Sequence, residues 1–268
     1  MKRRKLLKQA LLIVLLSALF WAWNNFTLCV NSQTVSSPKI NEPFRVAVVS
    51  DLHESVLAPS VVHRMKKLQP DLIFLLGDLY TNDGHEKVRE AVDFACSFAD
   101  IAPTYFVCGD HDHEDYYYKM LKDGGVHVLD SACERITVHG NELSLYGICK
   151  VWFLPEYSLS SVFPEPNEAR INILLSHMPA IEHFADFPLD FVFSGDTHGG
   201  IVRLPFLGAL SYDGMLLPKV FYGGAVYDKG LFSVGDCQLF VSSGVGSYPI
   251  PLRLFNRPEI ALITFEGE

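Results

Sequence analysis

The sequence predicts an α/β domain in which parallel strands carry polar residues at their carboxyl ends. Three observations support this. Short apolar runs alternate with amphipathic stretches through the first half of the chain. Five of those runs end in Asp or His: FRVAVVS before Asp51-Leu52-His53, DLIFLLG before Asp78, TYFVCG before Asp110-His111, INILLS before His177, and DFVFSG before Asp196-Thr197-His198. Three of the five place Gly directly before Asp. A buried strand followed by a sharp turn is how α/β proteins present chemistry at one edge of a sheet.

The elements follow in order. Residues 44–50 are apolar and rich in β-branched side chains, a strand, and 59–68 have helical spacing with a basic outer face. Residues 72–76 are a second buried strand. Residues 87–99 place Val88, Ala91, Val92, Ala95 and Phe98 on one helical face, and 104–108 give a third strand. This βαβαβ order implies parallel strands with right-handed crossovers. A helix over 116–122 ends at Gly124-Gly125. Residues 135–138 and 142–148 then alternate around His139-Gly140-Asn141 as a hairpin. Residues 171–175 and 191–193 return to apolar strands. The Gly- and Pro-rich C-terminal part, with short β runs at 202–204, 239–241 and 260–265, suggests a second sheet packed on the first.

Length fits one sizeable core. The formal net charge is -9 although the first eight residues are strongly basic, so the body is acidic, which disfavours nucleic acid as a partner. Residues 1–24 read as targeting: a basic head, Lys2 to Lys8, precedes an apolar run from Ala10 to Trp23 interrupted only by Ser17. Signal peptide and signal anchor both fit, and both export the body. The weakness of small-residue cleavage sites favours an uncleaved anchor, with the basic residues cytoplasmic and the catalytic domain extracytoplasmic at the cell membrane. Arg3-Arg4 also suits a twin-arginine export signal. Polar residues 25–43 read as a linker, leaving 44–268 as the domain. The six cysteines lack CxxC or CxH spacing, and no obligatory disulfide is expected.

Residues two apart at a strand end point to the same side, so Asp51 and His53 can chelate one ion, while Asp196 and His198 can divide between two. Mixed carboxylate and imidazole donors suit Mn, Fe, Zn or Co. Two such ions clamp a phosphoryl oxygen and acidify a water for in-line attack.

These residues resemble the signature of calcineurin-like metallophosphoesterases, DxH, GD, a GNH-like motif, a lone His and GHxH. They stand here as Asp51-Leu52-His53, Gly77-Asp78, Gly109-Asp110-His111-Asp112, Ser176-His177 and Gly195-Asp196-Thr197-His198. Residues 240–246 and 257–260 look like the tail of a bacterial membrane-linked subgroup. The resemblance implies a four-layer α/β/β/α sandwich of two mixed sheets. It implies metal one on Asp51, His53, Asp78 and His198, and metal two on Asp78, Asp110, His177 and Asp196. It implies His111 as the residue that stabilises the transition state or protonates the leaving oxygen. The expected substrates are small-molecule or lipid-linked phosphoesters or pyrophosphates, since some relatives cleave a nucleotide-linked lipid precursor. The expected cofactors are two metal ions, Mn or Fe, with Zn or Co as alternatives.

Three positions depart from the pattern. Asp110 replaces Asn, Asp196 replaces the first His of GHxH, and Thr81 stands where an Asp often orients the catalytic His. Asp83 or Asp112 are substitutes for that Asp. Four carboxylates against two divalent ions leave the site formally neutral, where two would leave a double positive charge. That predicts a harder or more highly charged second metal, or a weak enzyme. The alternative function is therefore a catalytically weak or silent relative that binds phosphate-bearing lipids or a partner. His113 and Arg203 are candidates for substrate contact. Trp152-Phe153 could form a lipid-facing flap, though simple packing is the commoner role of such residues. The sequence leaves the oligomeric state open.

Overall fold

Alternate residues of one sheet serve two different cores, which sets the layer order. The computed structural model describes residues 2–268 apart from 82–83, 113–114, 150–156, 185–186, 211–219, 223–224 and 249. Its helices are α1 (Lys2–Phe26), α2 (Ala58–Leu68), α3 (His85–Ala99), α4 (Asp115–Asp123) and α5 (Leu159–Val162). Its strands are β1 (Cys29–Ser36), β2 (Phe44–Val49), β3 (Leu72–Leu75), β4 (Thr104–Phe106), β5 (His127–Val128), β6 (Ala132–Val138), β7 (Asn141–Ile148), β8 (Ile171–Ser176) and β9 (Phe191–Ser194). There follow β10 (Arg203–Leu204), β11 (Gly208–Ala209), β12 (Phe221–Tyr222), β13 (Ala225–Val226), β14 (Gly230–Val234), β15 (Cys237–Val241) and β16 (Glu259–Glu266).

Two six-stranded mixed sheets form, ordered β1-β16-β2-β3-β4-β5 and β14-β15-β9-β8-β7-β6. In the first, β2 to β5 run parallel, joined by α2, α3 and α4 as the βαβαβ pattern requires. In the second, β7, β8, β9 and β15 run parallel, and β6 and β14 close the edges antiparallel.

Strand period two divides the apolar residues of the second sheet. Leu143, Leu145, Ile173, Leu175, Phe191, Phe193 and Phe240 face inward into the core shared with the first sheet. Tyr146, Ile148, Leu174, Val192, Leu239 and Val241 face outward, under Leu159, Phe163, Ile181 and Phe184. Across the seam, Phe193 meets Phe74 edge-on at 5.4 Å, and Phe191 meets Phe265 at 5.0 Å. The outer face of the first sheet is covered by Val61, Met65, Val88, Ala91, Ala95, Phe98, Tyr117 and Leu121 of α2 to α4. The result is two mixed sheets flanked by helices, the expected sandwich. The β6–β7 hairpin turns through His139 and Gly140, both at positive φ, a two-residue turn whose twist matches the strands.

Two expectations change. Residues 29–36, read as part of a linker, are strand β1, paired parallel along its whole length with β16. β1 is an edge strand with only Val35 buried, so it carries no apolar alternation, and β16 supplies its register. The last strand, expected in the second sheet, returns instead to the centre of the first, antiparallel to β2. Its run of buried residues, Ile260 to Ile263, fits a central strand covered on both faces. Helix α1 is exposed over nearly its whole length. With 25 residues it spans about 37 Å, enough to cross a hydrocarbon core of about 30 Å.

Candidate metal centre

The carboxyl ends of the parallel strands of both sheets meet at one point. Asp51, Asp78 and Asp110 follow β2, β3 and β4, while His177 follows β8 and Asp196 and His198 follow β9. The turns are sharp: Asp51, His53, Asp78, Asp196 and His198 all hold positive φ, between 43° and 67°. Such backbone is uncommon outside glycine and collects at functional sites. Neighbouring turns are stitched together, with the Asp51 N–H donating to the Gly77 carbonyl (3.0 Å), that of His53 to Asp78 (3.1 Å) and that of Gly195 to His177 (2.8 Å). The Asp196 N–H donates to Asp51 Oδ1 at 3.1 Å and ties one sheet's edge to the other. Gly109 is required where it stands, because a Cβ there would collide with the Asp78 carboxylate.

Two groups of donors share Asp78. In the first, His53 Nε2 lies 3.2 Å from His198 Nε2 and 3.4 Å from Asp78 Oδ2, and His198 Nε2 lies 3.5 Å from Asp51 Oδ1. In the second, His177 Nε2 lies 3.4 Å from Asp78 Oδ2, 3.7 Å from Asp110 Oδ1 and 3.9 Å from Asp196 Oδ1. Donors held about 2.1 Å from one ion in a tetrahedron stand roughly 3.4 Å apart, so these spacings fit metal coordination. The chemistry of the donors fits as well. Asp51 keeps Oδ2 buried with no hydrogen-bond partner among the described residues. Burial pushes His53 well down and His198 to about 4, so both rings are neutral and offer lone pairs. Burial pushes Asp78 well up. His177 is lowered by burial but raised more by the Asp78, Asp51 and Asp196 carboxylates, and ends well above its usual value. The upward pull on Asp78 and His177 marks a site short of positive charge, which divalent cations would supply.

Partners behind the ligands fix ring orientation. His177 Nδ1 lies 2.6 Å from the Leu76 carbonyl, which fixes a proton on Nδ1 and turns Nε2 toward the carboxylates. Thr81 Oγ1 lies 2.9 Å from His53 Nδ1, so this residue supports His53 at the place where an Asp was expected to orient the catalytic His. Asp112 is fully buried and its Oδ2 accepts from the N–H groups of Asp78 (2.6 Å) and Gly109 (2.9 Å). It braces two ligand turns, and burial pushes its carboxyl up to about 6. His111 sits at the rim, 5.2 Å from the His53 ring, with its N–H on Asp78 Oδ1 at 3.0 Å. Arg203 Nη1 is taken up by Asp228 (2.6 Å) and the Gly199 carbonyl (3.1 Å), an arrangement that holds the turn after His198 and leaves that nitrogen nothing to offer phosphate. His113, Asp83 and Trp152-Phe153 lie outside the described residues.

Sequence reasoning missed the C-terminal brace. Arg253 is buried, its pKa lowered by desolvation to about 10, and it donates to the carbonyls of Ser243, Gly246 and His198. Asn256 Nδ2 donates to the His198 carbonyl at 2.7 Å, and Glu259 Oε1 accepts from the Ser243 N–H. Tyr248 stacks on His53 at 5.3 Å. An arginine in a loop gives no signal of burial; only the carbonyls it meets in three dimensions explain it.

A family profile described as calcineurin-like phosphoesterase matches residues 44–200. The chain is 27% identical over 238 residues to the uncharacterized metallophosphoesterase YkuE of Bacillus subtilis, covering 84% of this chain and 79% of that one. It is 29% identical over 235 residues to the phosphodiesterase YaeI of Escherichia coli, covering 82% of each. Among solved structures, the NAD nucleotidase of Haemophilus influenzae superposes with a TM-score of 0.50 at 15% identity, covering 77% of this chain and 46% of that one. That likeness concerns the fold, and this chain spans less than half of the nucleotidase. A calcineurin-like fold with His and Asp clustered around a shared carboxylate is the arrangement of a dinuclear metal-dependent phosphoesterase. The chain belongs to the calcineurin-like phosphoesterase family.

Proposed function

We propose that the chain is a membrane-anchored hydrolase of phosphoester or pyrophosphate bonds, in which Asp51, His53, Asp78 and His198 hold one metal ion and Asp78, Asp110, His177 and Asp196 the second. The observation that carries this reading is the position of Asp78 Oδ2, 3.4 Å from both His53 Nε2 and His177 Nε2. One carboxylate oxygen between two imidazoles is the place of a bridging ligand. The chemistry that two ions would supply there is Lewis acidity toward a phosphoryl oxygen and a lowered pKa for water. The protein's own contribution is positional. Thr81 and the Leu76 carbonyl hold the ligand rings, and Asp112 fixes the turns of Asp78 and Gly109. His111, half-buried at the rim beside His53 and Tyr248, gives a proton to the departing oxygen.

The substrate class is supported by one relative named a phosphodiesterase and by another, at 21% identity, named a UDP-2,3-diacylglucosamine pyrophosphatase, from Chlamydia muridarum. Mn or Fe suits the carboxylate-rich second position better than Zn. Residues 1–24 serve as anchor, with Lys2 to Lys8 cytoplasmic and the catalytic domain outside. A likeness to a membrane-linked bacterial subgroup agrees with α1.

A second reading is a silent relative that binds phosphate-bearing ligands, and the acidic replacements Asp110 and Asp196 favour it. Bound metal per chain and hydrolysis of bis(4-nitrophenyl) phosphate with Mn separate the two. Two metals with turnover in wild type, with at least one metal and the turnover lost in Asp78→Asn, support the hydrolase. Two metals without turnover on any phosphodiester or pyrophosphate support the silent relative.

A further inference from the structure

Residues 246–248 and 250–256 touch the metal cluster on one side and the end of α1 on the other. Toward the cluster, Tyr248 lies 5.3 Å from the His53 ring and 4.9 Å from that of His111, while Arg253 reaches the His198 carbonyl. Toward the helix, Asn25 and Arg253 make a reciprocal pair. The Arg253 N–H donates to Asn25 Oδ1 at 2.9 Å and Asn25 Nδ2 donates to the Arg253 carbonyl at 3.0 Å. Trp21 Nε1 donates to the Pro251 carbonyl at 2.8 Å, Phe255 meets Phe20 edge-on at 5.1 Å, and the Arg257 guanidinium lies 4.7 Å over Trp23. Asn24 and Asn25 are buried at this seam. The end of α1 is therefore fixed against the domain, and its orientation is that of the metal centre.

Exposed apolar side chains collect on the same side. The loop presents Ile250, Leu252 and Phe255. Leu254 exchanges backbone hydrogen bonds with residues 201 and 203, which brings the β10–β11 hairpin alongside, with Phe206 and Leu207 exposed at its tip and Leu210 just beyond. Phe20, Trp21, Trp23 and Phe26 continue the surface onto the helix. An apolar patch of this extent on a soluble face marks an interaction site, and aromatic rings at the end of an apolar helix sit where hydrocarbon gives way to headgroups. The nearby guanidiniums are already engaged, Arg203 by Asp228 and Arg257 by Trp23 and Thr27. Among the described residues this surface thus offers apolar side chains and no unengaged guanidinium.

We propose that this face lies in the bilayer interface, with the 204–210 hairpin and the 250–255 loop inserted among lipid headgroups, so that the metal centre opens at the membrane surface and takes the phosphoryl group of an amphiphile held in the bilayer. The proposal rests on the anchor and hydrolase readings and adds an orientation to them.

The test uses the full chain in phosphatidylcholine vesicles with and without brominated acyl chains. Phe206→Trp and, at the opposite edge of the sheets, Thr137→Trp each add one indole at an exposed position. Brominated lipid is expected to quench at least half of the added emission at position 206 and none at 137, unchanged by 0.5 M salt. Equal quenching at the two positions, with wild-type protein still floating with the vesicles, overturns the orientation and leaves the anchor intact. Failure of wild type to float overturns both. Replacing Phe206→Asp together with Leu207→Asp is expected to lower the ratio of turnover on a vesicle-embedded phosphodiester to turnover on a soluble aryl diester at least tenfold. An unchanged ratio contradicts the amphiphile assignment. Absence of turnover on either substrate by wild type also overturns that assignment, because it overturns the hydrolase reading, and it leaves the quenching result standing.

Discussion

His53 and His198 stack at 5.0 Å with an interplanar angle of 18°, and their Nε2 atoms stand 3.2 Å apart. One ring comes from the first sheet's edge and the other from the second. Two neutral imidazoles pointing lone pairs at each other repel unless a proton or a cation lies between them. Burial, which pulls both pKa values down, disfavours the extra proton that would make either ring cationic.

That burial has a measurable consequence in chelator-treated protein. His198 titrates near 6.5 when unfolded and at about 4 when folded. The unfolded chain thus takes up a proton first as pH falls, and folded stability is lost between those values. Wild type is expected to lose roughly 3 kcal/mol relative to His198→Asn between pH 6.5 and pH 4, read from urea midpoints. Parallel curves would remove the burial argument.

Asp78→Asn removes the carboxylate shared by both donor groups. Metal content is expected to fall by at least one ion per chain, and phosphodiester turnover by about a thousandfold or more, consistent with about 4 kcal/mol of lost transition-state stabilisation. Plasma emission on desalted protein and initial rates report the two effects.

Asp112 acts through backbone. Asp112→Ala leaves the N–H groups of Asp78 and Gly109 without their acceptor, a loss of about 2–4 kcal/mol at one or more per buried group. Thermal melts with and without Mn measure it, and metal should restore part of the loss. A variant melting within a degree of wild type would count against the brace.

The acidic replacements are testable by reversal. Asp196→His with Asp110→Asn removes two negative charges from the second donor group and restores the family residues. Turnover with Zn is expected to rise about tenfold per pKa unit by which the attacking water is acidified, roughly ten- to a hundredfold in all. A decline with every metal would show that the carboxylates are adapted to the natural cofactor.

Much of this was legible in the sequence because buried parallel strands announce themselves as apolar runs. β2, β3, β4, β8 and β9 are such runs, and the Asp or His that ends each run marks the converging edge. β1 is not, because an edge strand with one buried side chain looks like polar linker, and its partner lies at the far end of the chain. The return of β16 to the first sheet was hidden for a related reason: an apolar run shows that a strand is buried, not which sheet receives it. Thr81 departs visibly from the family pattern, but its contact with the His53 ring is set by folding and leaves no trace in the sequence. Arg253 and Asn256 left no pattern, because their partners are carbonyl oxygens set by folding.

The most direct test of the dinuclear centre is metal stoichiometry by plasma emission on the full chain purified with Mn, wild type beside Asp78→Asn. Two ions per wild-type chain and at most one in the variant are expected. One ion or fewer in wild type, or equal content in both, would contradict a shared centre.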